Sequence, residues 1–108
     1  SEAQDRLGTR QKRALRTLST QLKKGQTAEE IGEAMEQYLM AKLKWERSAL
    51  TREAVHATLN DKLPSLAAEW DALWSALEMQ RYGASAIKTD DLAETLRSLA
   101  QRTEQAWT

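Results

Sequence analysis

The sequence predicts an all-α fold, a single small bundle-like domain of about five helices with one of them short, and three observations carry that prediction. Ala, Leu, Glu, Gln, Lys and Arg dominate the 108 residues, with four Gly, one Pro and neither Phe nor Cys, and the dominant types are those that lose least on entering a helix. Apolar residues recur at three- and four-residue intervals, and no stretch alternates with the period of two that a half-buried strand needs. Between the periodic stretches stand residues that stop and start helices: Gly25, Thr27, Thr51, Pro64, Gly83 and Thr89. A chain of this length supports one core and buries roughly two thirds of the surface its unfolded form exposes.

The first helix is expected to reach Lys24, because Leu15, Leu18 and Leu22, with Leu7 and Ala14 before them, share one helical face and Gly25 stops the pattern. Gly8 weakens its start, so residues 1–9 read as a frayed or linker segment and 10–108 as the helical interaction domain. Thr27-Ala28-Glu29-Glu30 has the form of a capping box that opens a second helix at Ala28. Its buried stripe is Ile31, Ala34, Met35, Tyr38 and Leu39, with Lys42 on the same line, and it is expected to end near Lys44 or Trp45. Thr51 caps a short helix from Arg52 to about Asn60 that turns Val55 and Leu59 inward. Pro64 fits only the first turn of the fourth helix, which carries Leu66, Trp70, Leu73, Trp74 and Leu77 on to Tyr82 before Gly83. After a loop over Ala84–Lys88, Thr89 is expected to cap a last helix with Asp90 and Asp91 at its positive end and Leu92, Leu96, Leu99, Thr103, Ala106 and Trp107 along one side.

Signatures of catalysis, of a metal site or of a nucleotide site are absent from this pattern. His56 is the sole histidine and no Cys is present, which removes disulfides, thiolate ligands and any two-histidine site within one chain. The carboxylate groups Glu29-Glu30-Glu33 and Asp90-Asp91-Glu94 lie in first turns of predicted helices, where the helix dipole accounts for them. No catalytic residue, metal ligand or cofactor is therefore assigned. No apolar run approaches the ~20 residues of a membrane span, and no signal-peptide pattern is present. The chain starts on Ser1 rather than Met and is expected to be a segment of something longer.

Charge is distributed unevenly. Residues 1–26 hold seven Lys or Arg against two acids, net +5, and the rest holds nine against fourteen, net −5. Two readings follow: the basic helix and the acidic body complement each other across the fold, or the helix faces phosphates or lipid headgroups. Arg6, Arg10, Lys12, Arg13 and Arg16 are the candidate membrane-proximal cations, since a Lys/Arg-rich stretch placed after a transmembrane helix marks the cytoplasmic side. Nucleic acid is disfavoured, because the Leu15, Leu18 and Leu22 face is used for packing and no helix-turn-helix spacing is present. Of four Trp, Trp70 and Trp74 read as core, whereas Trp45 and Trp107 lie at helix ends and, with Met40 off the buried stripe, are the candidate partner-binding residues.

One family shares this order of features. A basic helix with Arg13-Ala14-Leu15 and Leu18, a second helix ending Tyr38-Leu39-Met40-Ala41-Lys42-Leu43, then Leu50-Thr51-Arg52-Glu53, a Leu/Trp-rich helix closing at Arg81-Tyr82-Gly83, and Asp90 and Asp91 opening the last helix resemble the C-terminal cytoplasmic domain of the BatD aerotolerance (oxygen tolerance) family over about residues 10–107. The resemblance implies a membrane-anchored envelope-stress or oxidative-stress protein with this helical domain on the cytoplasmic face of the inner membrane. It also implies an adaptor without catalytic residues, and MoxR-type AAA+ ATPases or von Willebrand factor A proteins as partners. The alternative from another class is a soluble regulatory or nucleic-acid-binding helical module that sets its basic first helix on phosphates.

Overall fold

The computed structural model describes residues 2–83 and 87–107, with side chains from Thr9 onward. Five α-helices follow one another, α1 (Glu2–Gln21), α2 (Ala28–Leu43), α3 (Arg52–Lys62), α4 (Pro64–Arg81) and α5 (Thr89–Ala106), with a single 3₁₀ turn at Arg47–Ala49 and no strand among the described residues. The all-α bundle read from the sequence is the observed class. The backbone is helical from Glu2, ahead of Thr9, and the loop expected at Ala84–Lys88 falls mostly outside the described residues.

Each helix end has a local chemical cause. α1 stops at Gln21 rather than Lys24 because the Gln26 side chain intervenes: its Nε2 donates to the Gln21 carbonyl at 2.9 Å and its Oε1 accepts from the Lys23 amide at 2.8 Å, replacing bonds that another turn would have made. Gly25 then turns the chain at φ +76°. The capping box at α2 is complete, with Thr27 Oγ1 accepting from the Glu30 amide and Glu30 Oε1 from the Thr27 amide. α2 closes through Lys44 in the left-handed region, φ 60°, with the Trp45 amide bonded back to the Met40 carbonyl. Thr51 caps α3 through the Ala54 amide. Leu63 serves both α3, donating to the Leu59 carbonyl, and α4, accepting from the Ala67 amide. Pro64, next to it, sits where a helix needs no N–H. Thr89 is not the cap of α5. Lys88 holds that place, its carbonyl accepting from the Asp91 and Leu92 amides, and Asp90 Oδ1 instead accepts from the Gly25 amide at 3.2 Å, tying α5 to the end of α1.

Packing places α4 at the centre, against α3, α5 and α2, while α1 lies along α2 and touches α5. The predicted stripes are buried as read on α2, α3 and α4, with Trp74 half-buried at the stripe's edge. On α5 the apolar side runs from Leu92 to Thr103; Ala106 is exposed, and Trp107, just past the helix end, packs half-buried against the core. In the middle of the core Trp70 stacks on Tyr38, ring centroids 5.7 Å apart and planes 15° from parallel. The Trp70 indole N–H donates to Thr103 Oγ1 at 3.0 Å, and that hydroxyl donates to the Leu99 carbonyl at 2.8 Å. Both buried polar groups are thereby satisfied inside an apolar seam, where an orphaned donor would cost about 1–3 kcal/mol.

Candidate functional site

Five cations of the body are paired among the described residues. Lys42 pairs with Glu104 at 2.5 Å, Arg47 with Glu33 and Glu36, Arg52 with Asp71 through two hydrogen bonds, Arg97 with Glu94, and Arg102 with Glu69 through two more. Every one of these pairs lies outside α1. Arg10, Lys12, Arg13 and Arg16 are exposed and form no ion pair with a described residue. The expectation that the basic helix complements the acidic body across the fold is thus not met by ion-pair contacts among the described residues. The Arg6 side chain lies outside the described residues.

The α1 cations divide into two sets. Ala14 and Leu18 sit in the core, so the face of α1 beside them borders α2, and Arg10 and Arg13 stand along that border while Lys12 and Arg16 point elsewhere. Between the two helices runs a groove of about 180 Å³ whose floor includes Ala14, Leu18, Tyr38 and Ala41 and whose rim includes Arg10, Arg13, Thr9 and Thr17. Gln11, half-buried on the same face of α1 as Ala14 and Leu18, donates to the Lys42 carbonyl at 2.7 Å and fixes the helix against the end of α2.

Met40 fails as a partner-binding candidate. It is buried, 6% exposed, although it lies off the stripe of Ile31, Ala34, Met35, Tyr38 and Leu39. Trp45 and Trp107 are half-buried and pack against the core. Trp107 has a further role: the Lys42 and Lys62 ammonium groups lie 5.1 Å and 4.7 Å from its ring centre, close enough for cation–π attraction. Lys42 is therefore held on two sides, by Glu104 and by Trp107. Tyr38 shares the same carboxylate, its hydroxyl donating to Glu104 at 2.8 Å. Burial first, and then Glu104, push the Tyr38 phenol well above its usual range.

The remaining polar side chains form structural pairs. Hydrogen bonds from Arg52 hold the Asp71 carboxyl below the usual carboxylate range, with exposed His56 adding a weaker pull. Arg102 lowers Glu69 in the same way, and Glu33 is lowered by its Gln37 hydrogen bond and then by Arg47. No three His, Asp or Glu side chains among the described residues are placed to hold a metal ion, and no described helix is long and apolar enough to cross a membrane. A second concavity, about 500 Å³ between α2 and α4, has Met35, Trp74 and Leu77 beneath Glu29, Glu33 and Glu78. Gly32 lines it in mid-helix with open space where a Cβ would stand. Sequence reading missed both concavities, although Gly32 inside an otherwise strong helix former is a signal that could have marked the second.

No protein-family model matches the chain, and neither does any curated protein or solved structure.

Proposed function

We propose that the chain is a non-enzymatic interaction domain that lays its basic first helix against an anionic membrane surface, as the membrane-proximal helical domain of a BatD-like protein on the cytoplasmic face. What supports the reading is the segregation of ion pairs. Four exposed cations cluster on one helix without ion-pair partners among the described residues, while Arg47, Arg52 and Arg102 are each paired with carboxylates of the body, and such a cluster is available to an anionic surface. At about 1 kcal/mol per Lys or Arg, four such side chains supply a contact of only about millimolar strength. The helix alone would hold the domain weakly. It orients a domain that something else anchors, which is what a transmembrane helix ahead of it would provide. MoxR-type AAA+ ATPases or von Willebrand factor A proteins, the partners that the BatD resemblance implies, would then be met by the faces turned away from lipid.

Co-sedimentation with vesicles tests the reading. The chain is expected to bind phosphatidylcholine–phosphatidylglycerol vesicles, to release them as salt is raised, and to ignore vesicles of phosphatidylcholine alone. Equal binding to both compositions ends the proposal. Tighter binding to duplex or single-stranded nucleic acid, with log K falling linearly on log salt, would transfer the helix to the nucleic-acid alternative.

A further inference from the structure

We infer that the α1/α2 groove is a built site for the phosphate of an anionic glycerophospholipid, with Arg10 and Arg13 on the phosphate and the first acyl methylenes on the floor beneath them. The inference rests on the membrane reading and adds a distinction to it: a diffuse basic face attracts any anion through any of its cations, but a site uses particular ones. Arg10 and Arg13 are three apart in sequence, hence neighbours on the helix surface, and both line the groove, where Lys12 and Arg16 do not. Neither guanidinium pairs with a carboxylate of the described residues, and a guanidinium presents the planar donor fork that matches phosphate oxygens two at a time. Thr9 and Thr17 bring hydroxyl donors to the same rim.

The floor decides the class of ligand. Ala14, Leu18 and Tyr38 close the floor as nearly buried side chains and half-buried Ala41 adds carbon beside the two cations, a floor on which free phosphate has nothing to place. A molecule that joins phosphate to a short length of hydrocarbon fills both parts. The groove's volume of about 180 Å³ accommodates a few methylenes and no more, so the remaining acyl chain stays in the bilayer and the site grips a lipid without extracting it.

Three variants separate the site from the field. Arg10→Gln with Arg13→Gln, and Lys12→Gln with Arg16→Gln, remove equal charge from one helix. Binding to phosphatidylcholine–phosphatidylglycerol vesicles is expected to weaken about tenfold more in the first pair than in the second. Ala41→Leu, which fills the floor and leaves charge untouched, is expected to weaken it as well. Equal losses in the two pairs, with Ala41→Leu harmless, would overturn the site while leaving the membrane reading intact. Should the unaltered chain bind no anionic vesicle, the membrane reading falls and the groove is still tested by NMR with a soluble short-chain phosphatidylglycerol. That lipid is expected to shift the amides of Thr9, Ala14, Thr17 and Ala41, and inorganic phosphate alone to shift them at much higher concentration. Equal response to both, or shifts elsewhere only, would overturn the lipid assignment.

Discussion

Two regions of this small domain treat charge in opposite ways. From Glu33 to Glu104 four arginines are answered: Arg47 by two glutamates, Arg52 and Arg102 each by a carboxylate gripped with two hydrogen bonds, and Arg97 by Glu94. Along α1 the described cations stand unanswered, and that helix is held by Ala14, Leu18 and Leu22 in the core, by the Gln11 bond to α2 and by the Gly25 bond to Asp90. The difference separates two uses of a charged side chain. Paired charges specify which helix lies beside which, and unpaired ones remain available to something outside the chain.

That contrast can be broken by mutation, and the largest effect belongs to the seam on which the paired region is built. Trp70→Ala should cost about 3–5 kcal/mol by urea denaturation, since it removes the stacking on Tyr38 and leaves Thr103 without its donor. Lys42→Ala should cost about 2 kcal/mol, because Glu104 keeps only the Tyr38 hydroxyl and Trp107 loses one of its two cations. A cost near zero would show that the Glu104 carboxylate is well solvated without it. Gly32→Ala should act in the other direction, stabilising by about 0.5–1 kcal/mol, as nothing occupies the space its methyl group would enter.

Acid should sharpen the contrast further. Asp71, Glu69 and Glu33 all titrate lower in the folded chain than in the unfolded one, so their stabilisation is present above the unfolded carboxylate range and is lost as pH falls through the folded values. Urea midpoints measured from neutral pH downward should decline there, and Arg52→Gln should flatten the part that belongs to Asp71. In base the sign reverses for Tyr38: its phenol is raised in the folded state, so its share of stability is complete below the unfolded tyrosine value of about 10 and erodes above it. Tyr82→Phe leaves Tyr38 as the sole phenol, and its ultraviolet ionisation should then coincide with unfolding. Smallest of all, replacing Arg10, Lys12, Arg13 and Arg16 together with Gln should leave both the urea midpoint and its acid limb where they were. A clear destabilisation would mean that α1's charge serves the fold after all.

What was legible in the sequence was what is decided within one helix turn. Thr27 and Glu30 announce their box because both partners of each bond are three residues apart, and Ile31, Met35, Tyr38 and Leu39 reveal a face because the helix itself sets their spacing. Met40 lies off the stripe that the helical period picks out and is buried all the same, because burial on that side of α2 is decided by tertiary packing rather than by spacing within the helix. Gln26 ended α1 early through its side chain, against a Leu pattern that ran on to Leu22. Thr89 has the chemistry of a cap but sits one place too late, and the aspartate after it bonds to a glycine 65 positions away in sequence. The groove was equally hidden. Arg10, Lys12, Arg13 and Arg16 look alike in a sequence, and only the position of α2 divides them.

The corner at Leu63 has a consequence for how the chain tolerates change. Because that one residue ends α3 and begins α4, no slack exists there to absorb an added residue. One insertion between Leu63 and Pro64 would separate the end of α3 from the start of α4, which now share Leu63. The burial of Val55 and Leu59 and the Arg52–Asp71 pair are set across that joint. The two helices are geared rather than linked, and a change of chain length at this elbow is felt by both.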